Sequence, residues 1–141
     1  MRVEFTVPGT PVAKGRPRFV NRGRFVQAYT PDKTYNYEQL VKLAWMQAGC
    51  EKLNGPIIAQ ITAYMPIPKS ESKKKKAAME AGLILPTSRL DLDNICKAIL
   101  DALNKIAYDD DGQIVELHAR KLYSDTPRAE ITLQEVDNGQ A

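Results

Sequence analysis

Residues 92 to 106 place Ile95, Ile99, Ala102, Leu103 and Ile106 at spacings of three and four, a period that an α-helix turns into one apolar face. Such a face has to be buried, so this segment sets the centre around which the rest of the chain must pack. The opposite side carries Asn94, Lys97, Asp101 and Asn104 or Lys105. Acids crowd both ends. Asp91 and Asp93 flank Leu92 at the entrance, and Asp109-Asp110-Asp111-Gly112 follows the exit. An aspartate at a helix entrance is an ordinary N-cap, Lys97 and Asp101 match a helix-face ion pair, and Asp-Gly is a common turn dipeptide. Three aspartates in succession exceed what a turn requires, because adjacent carboxylates repel unless they are solvated or share a cation. A divalent-metal site is the second reading. A helix of about 15 residues is roughly 22 Å long, so its two acidic ends meet only if the following chain runs back along it. Periodicity leaves both readings open.

Around this helix the pattern predicts one α+β domain over residues 1–141. The opening MRVEFTV alternates as a strand, with Val3, Phe5 and Val7 on one face and a turn at Pro8, Gly9 and Pro11. RPRFVNRGRFVQAY reads as two short strands around Asn21-Arg22-Gly23. Thr30 as N-cap and Pro31 at the first helical position start a helix from about 31 to 51, with an apolar stripe of Tyr37, Leu40, Val41, Leu43, Ala44 and Met46. Residues 57–67 form a β-branched strand, and KKKKAAMEAG a short helical segment that ends at Gly82. After a connector at 83–88 and the central helix come two alternating strands. In the first, Val115, Leu117 and Ala119 oppose Glu116, His118 and Arg120; the second is 129–136, and residues 137–141 form a loose tail. The expected product is a mixed sheet packed with two main helices.

The 43% hydrophobic content suits one ordinary core, and no run approaches 18 apolar residues, so no membrane-spanning helix is expected. The N-terminus lacks the apolar stretch of a secretory signal. Two cysteines, Cys50 and Cys96, are too few for a disulfide scaffold, which points to a reduced, cytoplasmic protein. The net charge of +3 is unevenly spread. Residues 1–33 hold seven Lys/Arg against two acids, residues 34–88 seven against four, and residues 89–141 six against eleven. Basic segments facing an acidic cluster suit a metal-dependent enzyme acting on a polyanion. The counts equally describe a charge-balanced surface.

The candidate ligands are carboxylates, and hard oxygen donors suit Mg²⁺ or Mn²⁺ rather than zinc. An EF-hand is excluded: with Gly112 at loop position six, Ala107 and His118 fall where carboxylates are required. His118, alone on an alternating strand, reads as a surface residue. Lys14, Arg16 and Arg18, with Arg22 and Arg24 beyond, form a cationic loop and hairpin suited to phosphate contact. Lys73, Lys74, Lys75 and Lys76 supply either a second phosphate-binding surface or a solvated helix face. Phe19, Phe25 and Tyr29 are expected in the core, with an exposed wedge-forming aromatic as the alternative.

Asp91-Leu92-Asp93-Asn94, Lys97, Asp101-Ala102-Leu103, Tyr108, Asp110-Asp111 and Gln113-Ile114 together resemble the RusA Holliday-junction resolvases. FTVPGTPVAKGRPR, YTPDKT and SKKKK are similar to the phage- and Gram-positive-type branch of that family, and the likeness runs from about residue 3 to residue 134. The resemblance implies a RusA-like fold and a homodimeric endodeoxyribonuclease that cuts four-way junction DNA by paired, Mg²⁺-dependent nicks in recombination and repair, with Mn²⁺ as a substitute. It implies Asp91, Asp93 and Asp111 as the metal-site aspartates and Lys97 as the essential lysine. Asp111 is singled out because it lies two residues before the family's glutamine, here Gln113. Asp110 matches the aspartate that precedes it and is a further candidate ligand, while Asp109 is an extra acid. Leu90 stands where many relatives have proline. Lys97 would contact the scissile phosphate or assist the water. The competing class is a DNA-binding structural protein in which the same acids are caps and a turn.

Overall fold

Val3, Phe5 and Val7 are buried on one face of the first strand, β1 (Arg2–Pro8), as its alternation requires. The computed structural model describes residues 1–15, 18–23, 25–29 and 32–137, and for 18, 20, 22 and 25–29 it describes the backbone. The order continues β2 (Arg18–Arg22), β3 (Phe25–Tyr29), α1 (Asp32–Gln47), β4 (Ile57–Pro66), α2 (Lys73–Glu80), α3 (Leu92–Leu103), β5 (Ile114–Ser124) and β6 (Arg128–Glu135). β1, β6, β4 and β5 form one mixed sheet in that order, while β2 and β3 pair separately as a hairpin. β4 and β5 are parallel, and the other pairs in the sheet are antiparallel. The parallel pair requires a crossover, which α2 and α3 supply.

One sheet face is apolar across β1, β6 and β4. Ile57, Ala59, Ile61 and Ala63 of β4 and Ala129, Ile131 and Leu133 of β6 are buried with Ile95, Ile99, Ala102 and Leu103 of α3. Trp45 of α1 meets Phe5 edge-on, the ring centroids 5.5 Å apart. The other face is polar, with the Arg128 guanidinium 3.9 Å over the Tyr64 ring. The α+β class and the single mixed sheet agree with the sequence pattern, and the short lysine-rich segment forms a third helix.

Several details differ from the pattern. α1 ends at Gln47, and the chain leaves through Gly49 at a φ of +68°. Leu43 and Met46 are exposed, because Tyr37, Val41, Ala44 and Trp45 form the side of α1 that meets the core. α3 ends at Leu103, and Lys105, at a φ of +71°, turns the chain back. Val115 and Leu117 do not form a buried face: β5 is the outermost strand and both are exposed, at 63% and 45%. Phe19 is 70% exposed rather than in the core. Phe25 and Tyr29 have side chains outside the described residues, as do the expected cap at Thr30-Pro31 and tail residues 138–141. Both cysteines are free thiols, and no helix is long and apolar enough to cross a membrane.

Two buried tyrosines predict an alkaline weakness. The Tyr37 hydroxyl is buried without a hydrogen-bond partner among the described residues, and the Tyr108 hydroxyl donates to Leu100 O at 2.6 Å. Burial pushes both phenols above their ordinary value of 10.0, and the nearby Asp111, Asp101 and Asp110 add to the rise at Tyr108. The native state therefore keeps protons that the unfolded chain releases. This stabilisation is complete below pH 10.0 and is lost as pH rises from there towards the raised native values. Each tyrosine contributes a slope of up to about 1.4 kcal/mol per pH unit. Urea midpoints should fall from about pH 10 upward, and equal midpoints at about pH 9 and about pH 11.5 would contradict the burial of both phenols.

Candidate active site

The turn after α3 brings the acidic ends of the segment together. Ile106 N and Ala107 N both donate to Leu103 O, and the buried Tyr108 reaches back to Leu100 O. Leu53 N donates to Ala107 O, which fixes the turn against the approach to β4. At the other end of α3, Lys121 Nζ on β5 donates to Ser88 O and Leu90 O. α3 and β5 thus run antiparallel, and the chain folds back along the helix. Asp93, Lys97 and Asp101 of α3 and Asp111 beyond the turn line one cleft, with apolar walls from Cys96, Leu100, Ile114 and Leu117.

The three consecutive aspartates have separate surroundings. Asp109 pairs with Lys52, whose hydrogen bond and charge hold its carboxyl below the ordinary range. Asp110 accepts from Gly112 N at 3.0 Å and stands 3.8 Å from Lys105 Nζ, capping the 3-10 turn Asp111–Gln113. Asp111 faces the cleft. Mutual repulsion is reduced because the carboxylates diverge.

At the helix entrance, capping does not account for Asp91. It occupies the N-cap position, but its side chain makes no cap hydrogen bond and only accepts from Asn94 Nδ2 at 3.5 Å. It is exposed at the start of α3 and does not line the cleft with Asp93. Leu90, just before it, has a φ of +79°, a left-handed conformation that costs a branched residue energy and that proline cannot adopt. A proline at this position would therefore require a different backbone path.

Lys97 does not pair with Asp101. Its ammonium makes no hydrogen bond or ion pair among the described residues, and it lines the cleft beside Asp93, Asp101 and Asp111. Asp101 instead lies 3.5 Å from Lys14 Nζ, which also bonds Glu38 of α1 at 2.8 Å. Burial alone would lower the Lys14 pKa, but Glu38 and Asp101 outweigh it and the net shift is upward. Lys14 N donates to Asn94 O, and Gly15 N to Thr34 Oγ1. This segment thus ties α1 to α3 and gives Lys14 an internal role.

Of the other basic residues, Arg18 and Arg22 lie on β2 with side chains outside the described residues, and Arg16 and Arg24 lie outside them altogether. Lys73, Lys74 and Lys75 are exposed in the first turn of α2, and Lys76 is half-buried. Ser72 Oγ caps that helix by accepting from Lys75 N at 3.2 Å, and Glu71 lies 3.5 Å from Lys75 Nζ. His118 pairs with Glu116 at 2.9 Å on the exposed strand surface.

The cleft carboxylates are hard oxygen donors that suit a small divalent cation. Among the described residues no three acids, histidines or cysteines are close enough to form a ready-made cage. Burial and the nearby Asp93 push the Cys96 thiol up to about 11, which disfavours the thiolate near neutrality. Sequence reasoning passes over Lys14–Glu38–Asp101, which no local spacing reveals. It also passes over the internal role of Gln113, whose signal was present in the capping-box spacing Asp110-x-x-Gln113.

The family Endodeoxyribonuclease RusA matches residues 8–134. The chain is 43% identical over 137 residues to the uncharacterized protein YqaN of Bacillus subtilis (strain 168), covering 95% of this chain and 96% of that one. It is 35% identical over 115 residues to the crossover junction endodeoxyribonuclease rusA of Lactococcus phage r1t, covering 79% of each. Because the matched span includes both basic segments, the fold-back and every side chain of the cleft, the chain belongs to the RusA endodeoxyribonuclease family.

Proposed function

We propose that this protein is a Mg²⁺-dependent endodeoxyribonuclease that resolves four-way DNA junctions by paired nicks. The observation that carries the reading is the cleft itself. In a chain of this family, Asp93, Lys97, Asp101 and Asp111 converge on one groove although Asp93 and Asp111 are eighteen positions apart. Asp93 and Asp111 would hold the cation, with Asp91 completing the set from the helix entrance, while Asp110, beside Asp111 in sequence, turns its carboxylate onto Gly112 N. When bound, such an ion activates water and stabilises charge on the attacking and leaving oxygens of a phosphodiester.

The remaining work falls to the chain. The Lys97 ammonium, free of any direct ion pair among the described residues, donates to a non-bridging phosphate oxygen and offsets charge as the bond breaks. Lys14 pairs with the Asp101 carboxylate at 3.5 Å, which leaves Lys97 without a direct ion pair to it. Burial keeps Tyr108 protonated and a hydrogen-bond donor to the backbone. One cleft cuts one strand, so paired nicks require two copies, and the reading includes a homodimer. Lys/Arg contacts to phosphate supply affinity without base specificity.

The test is incubation with a mobile four-way junction, a matched linear duplex and a flap, each with Mg²⁺ or EDTA. Magnesium-dependent, symmetric nicks confined to the junction support the proposal. Junction binding without cleavage under Mg²⁺ and Mn²⁺ would replace it with a structural DNA-binding role.

The lysines of α2 give a second expectation. Cations in the first turn of a helix oppose its dipole, each by about 0.3–1 kcal/mol. Changing both Lys73 and Lys74 to Glu should therefore raise stability slightly. If these side chains meet DNA, it should also weaken junction binding and lower the salt slope by about 2. An unchanged slope in a salt titration would assign them to solvent.

A further inference from the structure

We infer that Gln113 is the positioning residue that directs Asp111 into the cleft. The inference rests on the reading of Asp111 as a metal-site carboxylate and concerns how that carboxylate alone is selected from three neighbours. Gln113 Oε1 accepts from Asp109 N at 2.8 Å and from Asp110 N at 3.0 Å, while its Nε2 donates to Gly55 O at 3.0 Å. Gln113 N donates to Asp110 O at 3.0 Å, and Gly112 N to Asp110 Oδ2 at 3.0 Å. The backbone is therefore held on both sides of Asp111. The anchor is distant in sequence: Gly55 precedes β4, the strand on which β5 is aligned.

This arrangement demands an amide side chain. Its oxygen takes two backbone N–H groups and its nitrogen serves a carbonyl. Glutamate retains the acceptor but sets a carboxylate against Gly55 O, asparagine is one methylene short, and alanine removes all three contacts. With the loop tied down, Asp109 turns to Lys52, Asp110 turns back onto Gly112, and the intervening geometry leaves Asp111 facing Asp93, Lys97 and Asp101. A partner that bonds a ligand directly typically matters about 10–100-fold in metal affinity or activity, and Gln113, which acts on Asp111 through the backbone of Asp109 and Asp110, is expected to fall in the same range.

The experiment uses the full chain with Gln113→Ala and Gln113→Glu, alongside Asp111→Asn, and reads Mn²⁺ affinity by electron paramagnetic resonance without DNA. Both Gln113 variants should bind Mn²⁺ about 10–100-fold more weakly, the alanine variant more so. Junction affinity in EDTA should stay within about 2-fold, because Gln113 lies on no phosphate-binding segment. In cleavage, the half-saturating Mg²⁺ concentration should rise while the rate at saturating Mg²⁺ largely recovers, which Asp111→Asn cannot do. Thermal melting checks the fold, and if the alanine variant fails to fold, the glutamate variant, which keeps the two amide contacts, carries the test. Unchanged Mn²⁺ affinity in the folded variants, or a wild-type chain that takes up no Mn²⁺, overturns the inference. Weakened Mn²⁺ binding in a protein that cuts no junction leaves Gln113 its positioning role and defeats the nuclease reading instead.

Discussion

Asp111→Asn is expected to slow junction cleavage by about 10²–10³-fold or more, the scale of removing a principal electrostatic group from an active site. Asparagine has the same shape, and Asp111 makes no internal ion pair among the described residues, so the fold should survive. Removing one of three adjacent negative charges should hold stability constant or raise it slightly. Junction binding in EDTA should persist or tighten, because a repulsive charge leaves a surface that meets phosphate. Asp109→Asn is the control. Its carboxylate faces Lys52 outside the cleft, so cleavage should stay within about 3-fold of wild type. Asp93→Asn should match Asp111→Asn, since both side chains line the same cleft. Asp91→Asn should lose cleavage as well if Asp91 completes the ligand set as proposed, and the fold should survive because its carboxylate caps no backbone group. Single-turnover cleavage of a labelled junction reads all four. An Asp111→Asn variant that cuts at near wild-type rate would remove this cleft from consideration as the catalytic centre.

Tyr108→Ala is expected to cost about 3–5 kcal/mol, the range for deleting a fully buried aromatic side chain. Tyr108→Phe separates the hydroxyl from the ring. At the end of α3, Asn104 N bonds Asp101 O, so Leu100 O lacks the usual helical donor and accepts from the Tyr108 hydroxyl instead. Its loss should cost about 1–3 kcal/mol, because a half-buried carbonyl is left without its partner. The effect reaches the cleft, since Asp111 follows Tyr108 by three residues and the tyrosine holds the turn that brings it there. Urea unfolding gives the stability change, and cleavage measured well below the transition gives the effect on the site. A Tyr108→Phe protein as stable as wild type within about 0.5 kcal/mol would show that the hydroxyl does not secure the fold-back.

The acidic stretch shows what is legible in a sequence and what is not. The helix could be read because its apolar period is local, and Ile95, Ile99, Ala102 and Leu103 are all fully buried. Its end could not, because Lys105 enters the left-handed region without the glycine that usually marks such a turn. The pairing of Lys97 with Asp101 suggested by helical spacing is absent. Asp101 is drawn instead towards Lys14, eighty-seven positions earlier, which only the packing of α1 against α3 brings near. Leu43, Met46, Val115 and Leu117 have the right residue type for burial but lie beyond the faces that neighbouring elements cover. Apolar character states a preference, and exposure is settled by how far the covering layer extends.

By itself the sequence determined the strands, the central helix, the hard-donor chemistry of the acids and the family to which their order points. These follow from local periodicity and residue type, which need no knowledge of distant contacts. Only the tertiary structure decided which carboxylates share a cleft. A tyrosine hydroxyl on Leu100 O and a glutamine amide on Gly55 O fold the chain back and separate three identical neighbours into an ion-paired residue, a turn cap and a cleft residue. Identical side chains differ only through their surroundings, and here those surroundings come from segments tens of residues away.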